Sequence, residues 1–504
     1  MERKHAEKAA ATYQRFLERT REIRDLGAAA AVLSWDQETV MPPRGAAARA
    51  RHRSTLAGLI HDRICDRRLG ELIAALSGDA LPPVQAANVR EARRDRDRAV
   101  KVPRALVTEL AEASSLAQQA WVGARERDDW GAFAPHLGRL VDLRRREAEA
   151  IGYEGEPYNA LLDEYEPGAR VEELAPLLDR LRAELASILA GITAAGPADE
   201  SIVRQEFDVA AQDRFSREVL TDMGFDFQAG RLDTSAHPFT SGTGPGDVRL
   251  TTHYDPRDLR VALYATIHEG GHGLYEQGFP PEHDGTPICD AASLGIHESQ
   301  SRLWENFVGR SREFVGHYAP RLGALFPAQL GGVDPERLYR AVNAVRPSPI
   351  RIEADEVTYN LHIVVRLELE RALYARQIEV GDLPALWNAR MRAYLGITPR
   401  NDREGVLQDI HWAFGSFGYF PTYALGNLYA AQFAEAADAD LGGLAPLIAR
   451  GEFAPLLGWL REKIHSRGRL LSAAELCRDV TGRDLEVAPF VRYLRRKYGD
   501  LYGV

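Results

Sequence analysis

The chain has 504 residues, 45% of them hydrophobic and 27% charged, which is the composition of an ordinary folded globular protein and excludes global disorder and low complexity. Its net charge of −10 argues against nucleic acid as a partner, because phosphate binding needs a basic surface. Three well-separated cysteines, Cys65, Cys289 and Cys477, form no C-x-x-C pair and exclude a disulfide framework or a cysteine zinc site.

In chain order, the charged start MERKHAEKAA lacks the apolar stretch of a signal peptide, and the longest apolar candidate, Ala28 to Leu33, is far too short to span a bilayer. The expectation is a cytoplasmic protein without membrane segments. Glu91 to Arg104 alternates in charge sign and reads as a solvated helix face. Phe133, Leu137, Leu140 and Val141, then Leu174 through Ile192, recur at helical spacing. Gly196 to Glu200 breaks the pattern, dividing an N-terminal helical part, about 1–195, from the remainder, about 196–504. No linker-like tract separates them, so the chain reads as one catalytic unit.

Residues 229–256 are rich in Gly, Pro, Ser and Thr and predict a short β-hairpin or small sheet in an otherwise helical protein. A long helix follows, with Asp255 as the expected N-cap, Pro256 at the first helical position, Asp258 near N3 and Gly278 as the terminating residue. It carries His268-Glu269-Gly270-Gly271-His272. Histidines four apart share a helix face and can bind one Zn²⁺, while the intervening Glu269 stays beside the ion as a general base. Three glycines in mid-helix each cost about 1 kcal/mol relative to alanine, so their clustering points to close approach by another segment.

A third ligand is expected from the next helix, Asp290 to Gly309, with Asp290 as its cap. Glu298 is preferred, completing a His₂Glu site with an open position. His297, its neighbour, points about 100° away and is the rival; His283 on the connector is a weaker one. Val357 to Arg376 and Leu383 to Leu395 predict further helices.

At HEGGH followed by IHESQSRLWEN the chain resembles the Taq-type thermostable metallocarboxypeptidase family. His237-Pro238-Phe239, Asp247-x-Arg249-x-Thr251, Ile350-Arg351-x-x-Ala354-Asp355 and Gly405-x-x-Gln408-Asp409-x-His411-Trp412 match its further motifs in order. LSWDQETVMPPRG at 33–45, YNALLDEYEPG at 158–168 and YLRRKYGDLY at 493–502 are also family-like. The resemblance implies an almost wholly α-helical fold with a long central groove, like the angiotensin-converting-enzyme and neurolysin group of zinc peptidases. It implies removal of single C-terminal residues from peptides with a free C-terminus, broad tolerance except at proline, and a homodimer.

Within that resemblance Glu269 is the general base, and His411 and Tyr423 are the favoured oxyanion donors, with His237 a third candidate. Arg351 is the choice for the substrate carboxylate, since a guanidinium binds carboxylates bidentately. An Arg351–Asp355 structural pair and Arg249 are its competitors. Asp247, Arg249 and Thr251 read as an edge-strand element that positions substrate or closes the groove. Asp409 or Asp355 is expected to orient a ligand histidine. Zn²⁺ is the expected metal, with Co²⁺ or Mn²⁺ as substitutes. The alternative function is an endo-acting oligopeptidase with the same site and no requirement for a free end.

Overall fold

A computed structural model describes residues 2–504 except Asp79, with side chains described from Glu7 onward; Met1, the first residue of the charged start, lies outside the described residues. Apolar residues at helical spacing produce helices through nearly the whole chain. Val171–Ala195 buries Leu174, Leu178, Leu181, Leu185, Ile188, Leu189 and Ile192 along one stripe, and Trp130–Ile151 buries Phe133, Leu137, Leu140 and Val141. Tyr359–Tyr374 and Leu383–Leu395 form where the periodicity places them.

One apolar core runs from Val102 to Leu501 and so crosses residue 195. A smaller cluster joins the first long helix, Glu2–Thr39, to the Arg67–Leu76 and Pro83–Lys101 helices through Tyr13, Phe16, Leu17, Leu69, Leu72, Leu76 and Val89. The alternating charges of residues 91–104 are only partly solvated. Arg94 donates to Asp163 Oδ2 at 3.0 Å and Arg98 to the Ala160 carbonyl at 3.0 Å, tying this helix to Tyr158–Tyr165. Periodicity marks the exposed face but not which long side chains reach across it.

Among the described residues there is a single sheet, of three strands: β1 Gly230–Thr234, β2 Thr240–Gly244 and β3 Asp247–Thr252. It is more than a hairpin. β3 pairs antiparallel with β2 but parallel with β1, giving the order β1-β3-β2. β3 is therefore central, which corrects its reading as an edge element. Its Leu250 is fully buried beneath the helix that follows. Trp35 of the first helix lies against the sheet, with the guanidinium carbons of Arg249 and Arg231 at 4.6 and 4.9 Å from its ring centre.

Candidate metal centre

The HEGGH helix spans Leu259–Glu276. Its cap is Asp258, whose carboxylate accepts from the Arg260 amide at 3.0 Å, not Asp255. Asp255 instead accepts from the Arg257 amide in a preceding turn, so the two acidic residues share the work expected of one. Gly278 does not take a left-handed conformation. A Cβ there would stand 2.3 Å from the His465 ring, so its glycine serves close packing.

The following helix, Leu294–Arg302, starts at Ser293, which accepts from the Ile296 amide at 3.0 Å. Asp290 is displaced from the cap because Arg24 claims it at 2.9 Å. The helix runs on as a π-helical turn, Leu303–Gly309, carrying Glu305. Two glycines set the depth of these elements. A Cβ on Gly271 would lie 2.6 Å from the Gln300 carbonyl, and one on Gly426, in the Pro421–Asp440 helix, 2.3 Å from Glu298 Cγ. Backbone contact on both sides fixes where Glu298 stands.

His268, His272 and Glu298 form the one group of potential metal-binding side chains among the described residues. Glu298 Oε2 lies 3.5 Å from His268 Nε2 and 3.4 Å from His272 Nε2. A tetrahedral ion bonded to three donors at about 2.1 Å separates them by about 3.4 Å, so the donor set fits such an ion. His268 Nδ1–H donates to Glu305 Oε2 at 2.9 Å, leaving Nε2 free to face the ion. Burial, with His297 and His268 adding to it, lowers His272 to about pKa 3 and keeps its lone pair available. Burial opposes the charge on Glu298, but Arg302 and His268 hold its carboxyl well below the usual range. Arg302 bridges the two glutamates, donating to Glu298 Oε1 at 2.6 Å and to Glu305 Oε2 at 3.1 Å.

His297 stands outside this group. It stacks on His272 at 4.2 Å, and its Nε2 lies 3.0 Å from Glu276 Oε1. His283 lies in a short 3₁₀ turn of the connector and is also outside it. Glu269 is buried and accepts from Thr240 Oγ at 2.7 Å; burial raises its pKa, partly offset by His268. Thr240 opens β2, directly after the His237-Pro238-Phe239 turn. That turn is pinned by Thr251, whose hydroxyl accepts from the Phe239 amide at 2.8 Å, and His237 itself is exposed on it. Arg249 is held by Asp247 through two bonds of 2.8 Å.

The late motifs build a second cluster. His411 Nε2 lies 3.2 Å from Tyr423 Oη. Burial lowers His411 to about pKa 3, with Arg351 and Arg366 contributing and Asp409 opposing, so the ring is neutral. Burial keeps Tyr423 protonated, with Tyr419 adding to this and Arg351 opposing it. Arg351 is buried and pairs with Asp409, not Asp355: Nη2 and Nε donate to Asp409 Oδ1 at 2.8 and 3.1 Å, and Nη1 to Tyr359 Oη at 2.9 Å. Asp355 accepts from the Arg346, Val357 and Thr358 amides. Neither aspartate bonds His268 or His272; Glu305 meets His268 instead. Glu305 and Thr240 escaped sequence reasoning. The WEN that carries Glu305 lay in view beside Glu298, but which residue turns back to His268 depends on the π-helical turn.

H-E-x-x-H on one helix with a glutamate converging from the next is a donor arrangement suited to a metallopeptidase site. The profile of the carboxypeptidase Taq (M32) metallopeptidase family matches residues 15–498, and the chain belongs to that family. Thermostable carboxypeptidase 1 of Thermus thermophilus is 48% identical over 508 residues, covering 98% of this chain and 99% of its own. Carboxypeptidase 1 of Bacillus subtilis is 39% identical over 495 residues, covering 97% and 99%. The crystal structure of the M32 carboxypeptidase from Deinococcus radiodurans superposes with a TM-score of 0.96 at 41% identity, covering 98% of this chain and all of that one. The chain is a metal-dependent carboxypeptidase.

Proposed function

We propose that this enzyme removes single residues from the free C-termini of peptides, with broad side-chain tolerance except at proline, through one Zn²⁺ held by His268 Nε2, His272 Nε2 and Glu298 Oε2. The observation that carries this reading is the 3.4 and 3.5 Å spacing of these donors, which suits one tetrahedral ion. Co²⁺ or Mn²⁺ would suit the same donors. When bound, such an ion polarises the scissile carbonyl and acidifies a water. Glu269, held by Thr240, takes the proton of the attacking water and passes it to the leaving amine. His411 and Tyr423 serve the developing oxyanion as donors by giving up their 3.2 Å contact with each other to it.

Arg351 takes the substrate carboxylate. Three of its five N–H donors are committed to Asp409 and Tyr359, which fix the guanidinium and leave two for a ligand. Arg249 and His237, on the sheet and its turn, contact the substrate backbone. The whole chain acts as one catalytic unit, working as a cytoplasmic homodimer.

One N-blocked peptide offered as free acid and as C-terminal amide tests the end requirement. Stepwise loss of single residues from the acid alone, abolished by chelator, is expected. Internal cleavage of both forms would overturn the carboxypeptidase assignment and the role given to Arg351.

A further inference from the structure

Glu370 lies on the Tyr359–Tyr374 helix, fully buried and outside the metal-binding group. Both its oxygens are engaged by neutral donors. Tyr158 Oη–H and the Gly418 amide donate to Oε2 at 2.6 and 3.1 Å, and Trp412 Nε1–H donates to Oε1 at 2.7 Å. Trp412 follows His411 directly. Gly418 has φ +88°, and a Cβ there would meet the Leu161 backbone at 2.6 Å. One carboxylate thus fastens both ends of the turn that leads from His411 toward Tyr423.

The same helix grips the chain on the other side of His411. Arg366, one turn before Glu370, donates to Asp409 Oδ2 at 2.8 Å through Nε and to Gln408 Oε1 at 2.9 Å through Nη2. The His411 ring packs against Phe420 and Tyr419, with ring centroids 4.5 and 5.3 Å away, but has few polar restraints. Its Nδ1 is buried without a hydrogen-bond partner among the described residues, and Tyr423 meets only Nε2. Its orientation therefore depends on where the backbone seats it against these rings, and that backbone is held by Arg366 before the ring and, after it, by Glu370 together with Arg144, which donates to the Gly415 carbonyl at 2.8 Å.

We infer that Glu370 is a positioning residue for the reaction, holding the 412–418 turn so that His411 faces the reacting carbonyl. The inference rests on His411 acting as an oxyanion donor. Glutamate is specifically required. A glutamine with its oxygen toward Gly418 presents an N–H to Trp412 Nε1–H, and the flipped amide presents one to the Gly418 N–H. Either way one end of the turn is released.

The test is a double-mutant cycle on the zinc-loaded enzyme with Glu370→Gln, His411→Ala and both together. Glu370→Gln is expected to lower kcat about tenfold or more, as a misplaced group does, with KM within about twofold and zinc content unchanged. In the His411→Ala background the same change is expected to have almost no further effect. Tyr158→Phe, which leaves both bonds to the turn intact, should retain kcat. If Glu370→Gln does not fold, Trp412→Phe, which removes the donor to Oε1 along with part of a ring packed near Trp387 and Phe417, takes its place in the same cycle with the same criteria. Effects that multiply fully, or an unchanged kcat in the Glu370 variant, overturn the inference alone. An unchanged kcat in His411→Ala overturns the oxyanion role and the inference with it.

Discussion

His268 Nδ1–H donates to Glu305 Oε2 at 2.9 Å, joining the HEGGH helix to the π-helical turn beyond the Glu298 helix. Glu305 is itself fixed, accepting from Arg302 Nη1 at 3.1 Å and Arg310 Nη2 at 3.2 Å. Such a partner locks the tautomer and ring angle of a ligand histidine and raises its basicity. Glu305→Ala is expected to weaken zinc binding about 10- to 100-fold, read by competition with a chromophoric chelator. Glu305→Gln, which retains an acceptor, should fall between that variant and the parent. Equal affinities in all three would remove Glu305 from this role.

Thr240 Oγ–H donates to Glu269 Oε2 at 2.7 Å from the first residue of β2. Valine has the same shape without the hydroxyl, so Thr240→Val frees the Glu269 carboxylate without opening space. The expected result is a fall in kcat of about tenfold, since a general base acts only from a fixed position, with little change in KM or zinc content. Thr240→Ser should restore most of the loss. Steady-state kinetics on the three proteins checks this, and failure of serine to rescue would point to packing instead.

Glu166 accepts from the Gly295 amide at 3.0 Å, at the start of the helix that presents Glu298. Its other oxygen is buried without a partner among the described residues. Burial pushes its pKa up to about 7, partly opposed by Ser293 and Gly295. The folded state therefore holds this proton more tightly than the unfolded chain, whose glutamates titrate near 4.3. That contribution to stability is fully present below the unfolded pKa and is lost as pH rises through about 7. Glutamine cannot ionise and keeps the bond from Gly295. The melting temperature of Glu166→Gln should gain on the parent by about 1–3 °C between pH 5 and pH 8. A difference that stays flat across this range contradicts the assignment.

The features legible in the sequence are those encoded over short distances. Helical spacing located the long helices, and histidines four apart placed two donors on one face. Glu298 was legible because it lies one connector away on the next helix, although His297 beside it could not be dismissed until its ring was seen stacked on His272. Relations spanning the chain were not legible. Asp409 was in view as a motif residue, but its pairing with Arg351 depends on segments 58 residues apart meeting. β3 became central because β1 adds to it in parallel, a register that no local pattern specifies. At helix starts, neighbouring acidic residues competed. Asp258 won over Asp255, and Ser293 over an Asp290 already claimed by Arg24.

The most direct measurement titrates Zn²⁺ into metal-free enzyme while following bound metal and release of the C-terminal residue in the same samples. Activity should rise linearly with occupancy and level off at one equivalent per chain. Glu298→Ala should bind far more weakly, and Glu269→Gln should bind normally with kcat reduced at least about a hundredfold. Full activity in the metal-free enzyme, or a Glu298→Ala variant that binds and turns over like the parent, would contradict a single ion held by His268, His272 and Glu298.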